Sequence, residues 1–339
     1  RAATQGLRCG AMKRSCLVVA ALASIVLTAC GGSAGDRPGQ EARLLLDFQP
    51  NAVHTGIYLA QARGFTDAEG VDLEVEIPGE STDAIGLLFS NRVDFAVMDI
   101  HDLALAREKD RDLVAVMTIV QRPLAAVFAE AAIRSPRQLE GRRVGVTGLP
   151  SDDAVLDSIV AGDDGDPKAV RRTTIGFDAV RSLLAGKVDA ATAFWNVEGV
   201  ALRAERPGIR EFRVDAFGAP PYPELVLVAR RTAVQDAPAL VQATVTALRR
   251  GYREVQLGPE EAVGVMVDRV DGLERRVIQD QLDAVLPAFA SGGSAVGAFD
   301  LGALERWAAW EERFKLTKER PDVARMFDPS FARRGVISG

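Results

Sequence analysis

Past Cys30 this 339-residue chain has no cysteine, and it has only two histidines, His54 and His101. That excludes disulfides, thiolate metal centres and a cysteine nucleophile from everything after residue 30. Two histidines are also too few for a multi-histidine metal site. Aromatic residues are scarce, with three tryptophans and three tyrosines. The net charge is −6, and residues 1–29 hold Arg1, Arg8, Lys13 and Arg14 with no acid, so −6 less those four charges leaves −10 on the remainder. A body so acidic repels phosphate backbones, so no nucleic-acid partner is expected. The turn at 147–151 opens a helix but lacks the lysine of a phosphate loop. The acidic run at 163–166 lacks the closing glutamate of a calcium loop and reads as a solvated loop. No cofactor and no metal are expected.

What is present is enough apolar sequence, 47% of residues, to bury a large core, and the length suits two lobes. At the start, Lys13-Arg14 precedes an uncharged run that ends Leu27-Thr28-Ala29-Cys30. A basic end, a short apolar segment and small residues describe a signal peptide. Leu27 to Cys30 also resembles the bacterial lipobox. The expectation is therefore upstream residues and signal peptide over 1–29, with Met12 as the start, a lipidated Cys30, and a flexible tether over 30–42. A short transmembrane anchor with an incidental cysteine is the alternative reading.

The chain then alternates strand-like and helix-like stretches. Strands are predicted at 44–46, 71–77, 93–98, 113–120, 124–129, 142–146 and 225–229, the second from its alternation of Val71, Leu73, Val75 and Ile77 with acids. Helices are predicted at 81–89 and, past Pro238, at 240–255, 259–270, 275–286 and 301–314. This alternation is the grammar of a parallel sheet with crossover helices, an α/β fold. An internal echo supports two similar lobes: residues 88–94, Leu-Phe-Ser-Asn-Arg-Val-Asp, align with 183–189, Leu-Leu-Ala-Gly-Lys-Val-Asp. Asp99 and His101 follow the first copy; Trp195, Asn196 and Glu198 follow the second.

The stretch 47–58 joins the first strand to a helix and carries Phe48, Asn51 and His54. Ligands sit at such strand ends in open α/β sheets, because backbone N–H groups and the helix dipole point there. Asn51 reads either as a ligand residue or as a cap, and His54 either as a ligand residue or as a packed one. Glu198 reads as a specificity carboxylate or an exposed helix acid. Tyr222, in a loop with Pro220, Pro221 and Pro223, is placed to cover a ligand, and Gln121 to line a hinge. Trp307 and Trp310 read as core.

The run Asp47-Phe48-Gln49-Pro50-Asn51, with His54-Thr55-Gly56, Tyr58, Ala60, Gly64-Phe65 and Gly70-Val71-Asp72-Leu73, resembles the opening of the thiamine-pyrimidine (ThiY-like, NMT/THI-like) solute-binding proteins of ABC importers. The likeness extends over about 43–315 and includes 139–145, 194–198, Tyr222-Pro223, Gly251-Tyr252 and 259–262. It implies a type II periplasmic-binding-protein fold, two α/β lobes with a central ligand cleft and a two-strand hinge. The expected division is lobe 1 over 43–126 and 229–320, lobe 2 over 127–228, and a tail over 321–339. It further implies a monomeric, lipid-anchored extracytoplasmic receptor that captures an amino-pyrimidine, or riboflavin or another small heteroaromatic, and hands it to permease and ATPase subunits. Phe48, Trp195 and Tyr222 would stack on the ligand; Asn51, His54, Asp99, His101, Gln121, Asn196 and Glu198 would bond its edges or line the hinge. Phe48 stands where the family usually has tryptophan. A related enzyme makes the pyrimidine from its own histidine and a lysine-bound pyridoxal phosphate. His101 matches that histidine, but the lysine position is Val97 and the enzyme's cysteine cluster falls on residues 218–223, so no enzyme is expected.

Overall fold

The computed structural model describes residues 39–79, 83–290 and 293–333. The signal segment and Cys30 lie outside these residues. Ten strands are described: β1 (Gln40–Leu45), β2 (Val71–Glu76), β3 (Phe95–Asp99), β4 (Leu113–Val120), β5 (Ala125–Ala129), β6 (Arg143–Val146), β7 (Arg171–Thr174), β8 (Ala190–Phe194), β9 (Arg210–Arg213) and β10 (Leu225–Arg230). They form two five-stranded sheets of matching order, β2-β1-β3-β10-β4 and β7-β6-β8-β5-β9. The fold is the two-lobed α/β fold of periplasmic binding proteins. In each sheet the strand between the third and the last runs antiparallel and arrives from the other lobe: β10 beside β3 and β5 beside β8. Two connections, residues 121–124 and 218–224, therefore tie the lobes.

The central strands are continuous apolar runs because helices cover both faces. All eight residues of β4 are buried, as are all five of β5. The edge strands β7, Arg-Arg-Thr-Thr, and β9, Arg-Glu-Phe-Arg, carry no such run and were not expected from the sequence. Pairing with β6 and β5 creates them.

The internal echo is a real structural correspondence. Asn91 and Gly186 both end a helix in the left-handed region, at φ 58° and 66°. Asp94 then accepts from the backbone N–H of Arg43 at 2.9 Å, and Asp189 from that of Arg143 at 2.8 Å. In each lobe one carboxylate thus fastens the start of the third strand to the first.

Two signature glycines position the loop before the helix Thr55–Ala62. A Cβ on Gly251 would lie 2.1 Å from the Gly56 carbonyl oxygen, and one on Gly56 would strike the Tyr252 ring at 2.4 Å. The helices Thr55–Ala62 and Pro238–Leu257 therefore pack backbone to backbone. The contact brings the Tyr252 hydroxyl to the Val53 carbonyl, to which it donates at 2.7 Å. Residues up to Arg333 in the expected tail are packed: Phe327 bridges to Ala115 of β4, and Asp328 donates its N–H to the Ala115 carbonyl at 2.9 Å.

Candidate ligand cavity

A cavity of about 520 Å³ opens between the carboxyl ends of the two sheets. From the first lobe come Phe48, Asn51 and Asp99; from the second, Phe177, Asn196 and Glu198. Strand ends deliver these groups because each β-strand here feeds a helix, and the turn between them faces the crevice.

Asn51 is both a cap and a cavity residue. Its Oδ1 accepts from the N–H of Val53 at 3.1 Å, and its Nδ2 donates to the Gln49 carbonyl at 3.0 Å. His54 supports that turn from behind: its Nδ1 accepts from the Asn51 N–H at 3.2 Å, so its Nε2 donates to Asp47 at 2.7 Å. It is wholly buried and positions the loop without reaching the cavity.

On the second lobe, Asn196 is 0% exposed, and neither Nδ2 nor Oδ1 has a hydrogen-bond partner among the described residues. An orphaned amide in a buried wall costs about 1–3 kcal/mol unless something in the cavity bonds it. Glu198 accepts from the Phe194 N–H at 3.2 Å, and burial raises its pKa. Burial likewise holds Asp99 well above the ordinary carboxyl range, and Asp102 above it. Asp99 also caps its helix, accepting from the N–H of His101 at 2.7 Å.

Besides His54, three residues expected at the ligand are not brought to the cavity, and Gln121, expected to line a hinge, lies on the first inter-lobe connection. His101 is 1% exposed: its Nδ1 pairs with Glu311, and its Nε2 meets the Tyr222 hydroxyl at 3.2 Å. Burial alone would lower its pKa, but Glu311 and Asp99 outweigh it and push the imidazole up to about 10. Tyr222 is equally buried, edge-on to His101 and 5.9 Å from the Trp310 ring. Trp195, 2% exposed, donates its indole N–H to the Pro123 carbonyl at 2.8 Å, under the Arg213 guanidinium. Gln121 donates from its side chain to the Ala295 carbonyl at 2.9 Å. The reason is shared: each lies on, or packs against, a connection between lobes, where its polar atoms are taken by protein partners instead of facing the cleft. Trp307 and Trp310 are core, as expected.

Sequence reasoning missed Phe177. It is 66% exposed, follows Gly176 at φ 59°, and its ring lies 5.6 Å from that of Phe48 across the cleft. No sequence signal marked it, because its exposure and the edge strand β7 before it are set by the tertiary structure. The acidity of the wall was also missed: among the described residues, Asp47, Asp83, Asp99, Asp102, Asp152 and Glu198 line the cavity with one cation, Lys109. As for metals, Asp99, His101 and Glu224 form a close group, but both ring nitrogens of His101 are already engaged by Glu311 and Tyr222.

Comparison with known proteins follows the same lines. A formylaminopyrimidine-binding protein of Halalkalibacterium halodurans is 30% identical over 88% of this chain and 93% of its own length. A 4-amino-5-hydroxymethyl-2-methylpyrimidine phosphate synthase of Legionella pneumophila is 24% identical over 73% of this chain and 79% of its own. Among solved structures, the periplasmic aliphatic sulphonate binding protein SsuA of Escherichia coli superposes with a TM-score of 0.69 at 14% identity, over 84% of this chain and 96% of that one, a likeness of fold. The model of one family, NMT1/THI5 like, matches residues 51–262, and the chain belongs to it.

Proposed function

We propose that the protein is the extracytoplasmic solute-binding component of an ABC importer, anchored through Cys30, that captures an amino-pyrimidine precursor of thiamine and presents it to a permease. The observation that carries this reading is the orphaned amide of Asn196. An amide offers a carbonyl acceptor beside an N–H₂ donor, which pairs with the adjacent ring nitrogen and exocyclic amine of an amino-pyrimidine, as asparagine pairs with adenine. Glu198, whose pKa burial raises, can bond a second edge. Phe48 and Phe177 supply flat faces from opposite lobes. Capture then draws the lobes together, because the closed form alone lets both bond one ligand.

The acidic wall supports a ligand with amine donors and opposes sulfonates and phosphates. The size of the cavity supports a second reading, a larger heteroaromatic such as riboflavin. For synthase chemistry, the position four before His101 is Val97, whose side chain forms no imine. The family's known members include both binding proteins and synthases, and the non-enzyme reading for this chain rests on that valine. Calorimetric titration with a formylaminopyrimidine tests the proposal. Saturable binding that falls at least tenfold in Asn196→Ala is expected; no binding by the wild type, or equal binding by the variant, overturns it.

A further inference from the structure

The groups beneath the cavity floor do more than fill the core. Glu224 belongs to the second inter-lobe connection, and its own carbonyl accepts from Ile100 of the first lobe at 3.0 Å. Its carboxylate reaches across to the first connection and accepts from the Leu124 N–H at 2.5 Å. Leu124 in turn belongs to the second lobe's grip, since its carbonyl accepts from the Trp195 N–H at 3.0 Å and Pro123 takes the indole N–H. The Glu224 side chain therefore spans the point where the lobes pivot. Asp99, His101 and Glu224 each place a polar atom within 4.8 Å of the others, and Asp99 also faces the cavity.

We infer that Asp99, His101 and Glu224 form one positioning device that couples occupancy of the cavity to the hinge. Asp99 meets the ligand and accepts from the His101 backbone N–H; the His101 ring, fixed by Glu311 and Tyr222, stands within 4.8 Å of the Asp99 and Glu224 carboxyl groups; and Glu224 grips the Leu124 backbone across the pivot. Every charged or titratable group that faces His101 serves this arrangement: Asp99 and Asp102 on its own helix and strand end, Glu224 and Tyr222 on the second connection, and Glu311 on the helix Leu301–Arg313. Glu311 fixes the ring from the helix Leu301–Arg313, whose Trp310 indole N–H also donates to Ser158 of the second lobe at 2.9 Å. One imidazolium among several carboxyl groups also explains why the ring stays protonated, as the direction of its shift indicates. A ligand that donates to Asp99 weakens the hold of that carboxyl on His101, and the change is felt at Glu224. The ligand-binding arm below rests on the proposed function; the other two need no ligand.

With only two histidines in the chain, ¹⁵N imidazole spectra of the full protein are readily assigned by loss of a signal in His101→Gln. Both ring nitrogens of His101 should be protonated at pH 8; a neutral ring overturns the inference. In ligand-free protein, amide exchange at Leu124 should quicken at least tenfold in Asp99→Asn and in His101→Gln, with the amide of Phe128 in β5 unchanged. Unchanged exchange at Leu124, or equal acceleration everywhere, overturns it. Asp99→Asn keeps the measurement decisive if His101→Gln fails to fold. Glu224→Gln, which retains a carbonyl acceptor, should preserve Leu124 protection better than Glu224→Ala; identical behaviour counts against the device. Binding of a formylaminopyrimidine should weaken at least tenfold in His101→Gln although the ring touches no cavity. A metal ion that co-purifies with the wild type and is lost in His101→Gln would overturn the device.

Discussion

The cavity wall and the hinge floor lie a few residues apart along the same strands, yet they handle polar groups in opposite ways. On the floor, polar side chains are committed to protein partners: the Trp195 indole to Pro123, Gln121 to Ala295, His101 to Glu311 and Tyr222, Glu224 to Leu124, with one oxygen of Glu311 left over. On the wall, Asn196 is left with both amide atoms unpaired, and Phe48 and Phe177 remain partly in solvent. Satisfied polar groups rigidify, and an unsatisfied buried one carries an uncompensated desolvation cost. Trp195 and Asn196 are neighbours in sequence and fall on opposite sides of this division.

Substitutions can break that contrast. The largest effect is expected at the floor. Trp195→Ala should remove about 3–5 kcal/mol of stability, read as a lowered urea midpoint, because it opens a cavity and strips the Pro123 carbonyl of its donor. A variant that keeps its midpoint and loses only ligand would move Trp195 to the wall. Gly251→Ala comes next: its methyl group would meet backbone at 2.1 Å, so helix separation should cost about 1–3 kcal/mol, visible by thermal denaturation.

The wall behaves differently. Asn196→Ala should lose about 1.4–3 kcal/mol of binding, roughly tenfold or more in Kd, while the free protein keeps or gains stability because an unpaired buried amide is gone. A fall in both would place Asn196 with the floor.

The effect of pH sharpens the comparison further. His101 has a folded pKa of about 10, above the unfolded value near 6.5, so its contribution is complete below about pH 6.5 and disappears as pH rises towards 10. Asp99 and Glu224 are also raised and work in the same direction, since the folded protein binds their protons more tightly. The melting temperature should fall between pH 6.5 and 10, less steeply in His101→Gln. A rise over that window would contradict a charged floor. The smallest effect is expected for Phe177→Ala, about 0.5–1.5 kcal/mol of binding, with stability unmoved because the ring is largely in solvent.

Much of the fold was legible in advance. The apolar runs gave β4 to the residue and the four long C-terminal helices to within two or three residues, since period and burial alone specify them. The echo at 88–94 and 183–189 pointed to a repeated lobe because the left-handed turn and the Asp that bonds the first strand need particular residue types. β7 and β9 were not legible, because their residues have no intrinsic pattern and become strands only by pairing.

At the site, the strand-end loops at 47–51, 99 and 196–198 were found from the sequence, and Phe48, Asn51, Asp99, Asn196 and Glu198 do line the cavity. His54, His101, Trp195 and Tyr222 were grouped with them on residue type, and tertiary structure separated them; Gln121 lies on the inter-lobe connection, where a hinge residue was expected. Composition fixes that this chain has few aromatics and an acidic body, because those properties are sums over residues. Which way a side chain turns at the end of a strand depends on what packs behind it. Glu311, 210 residues from His101, is what turns that histidine from ligand candidate to hinge.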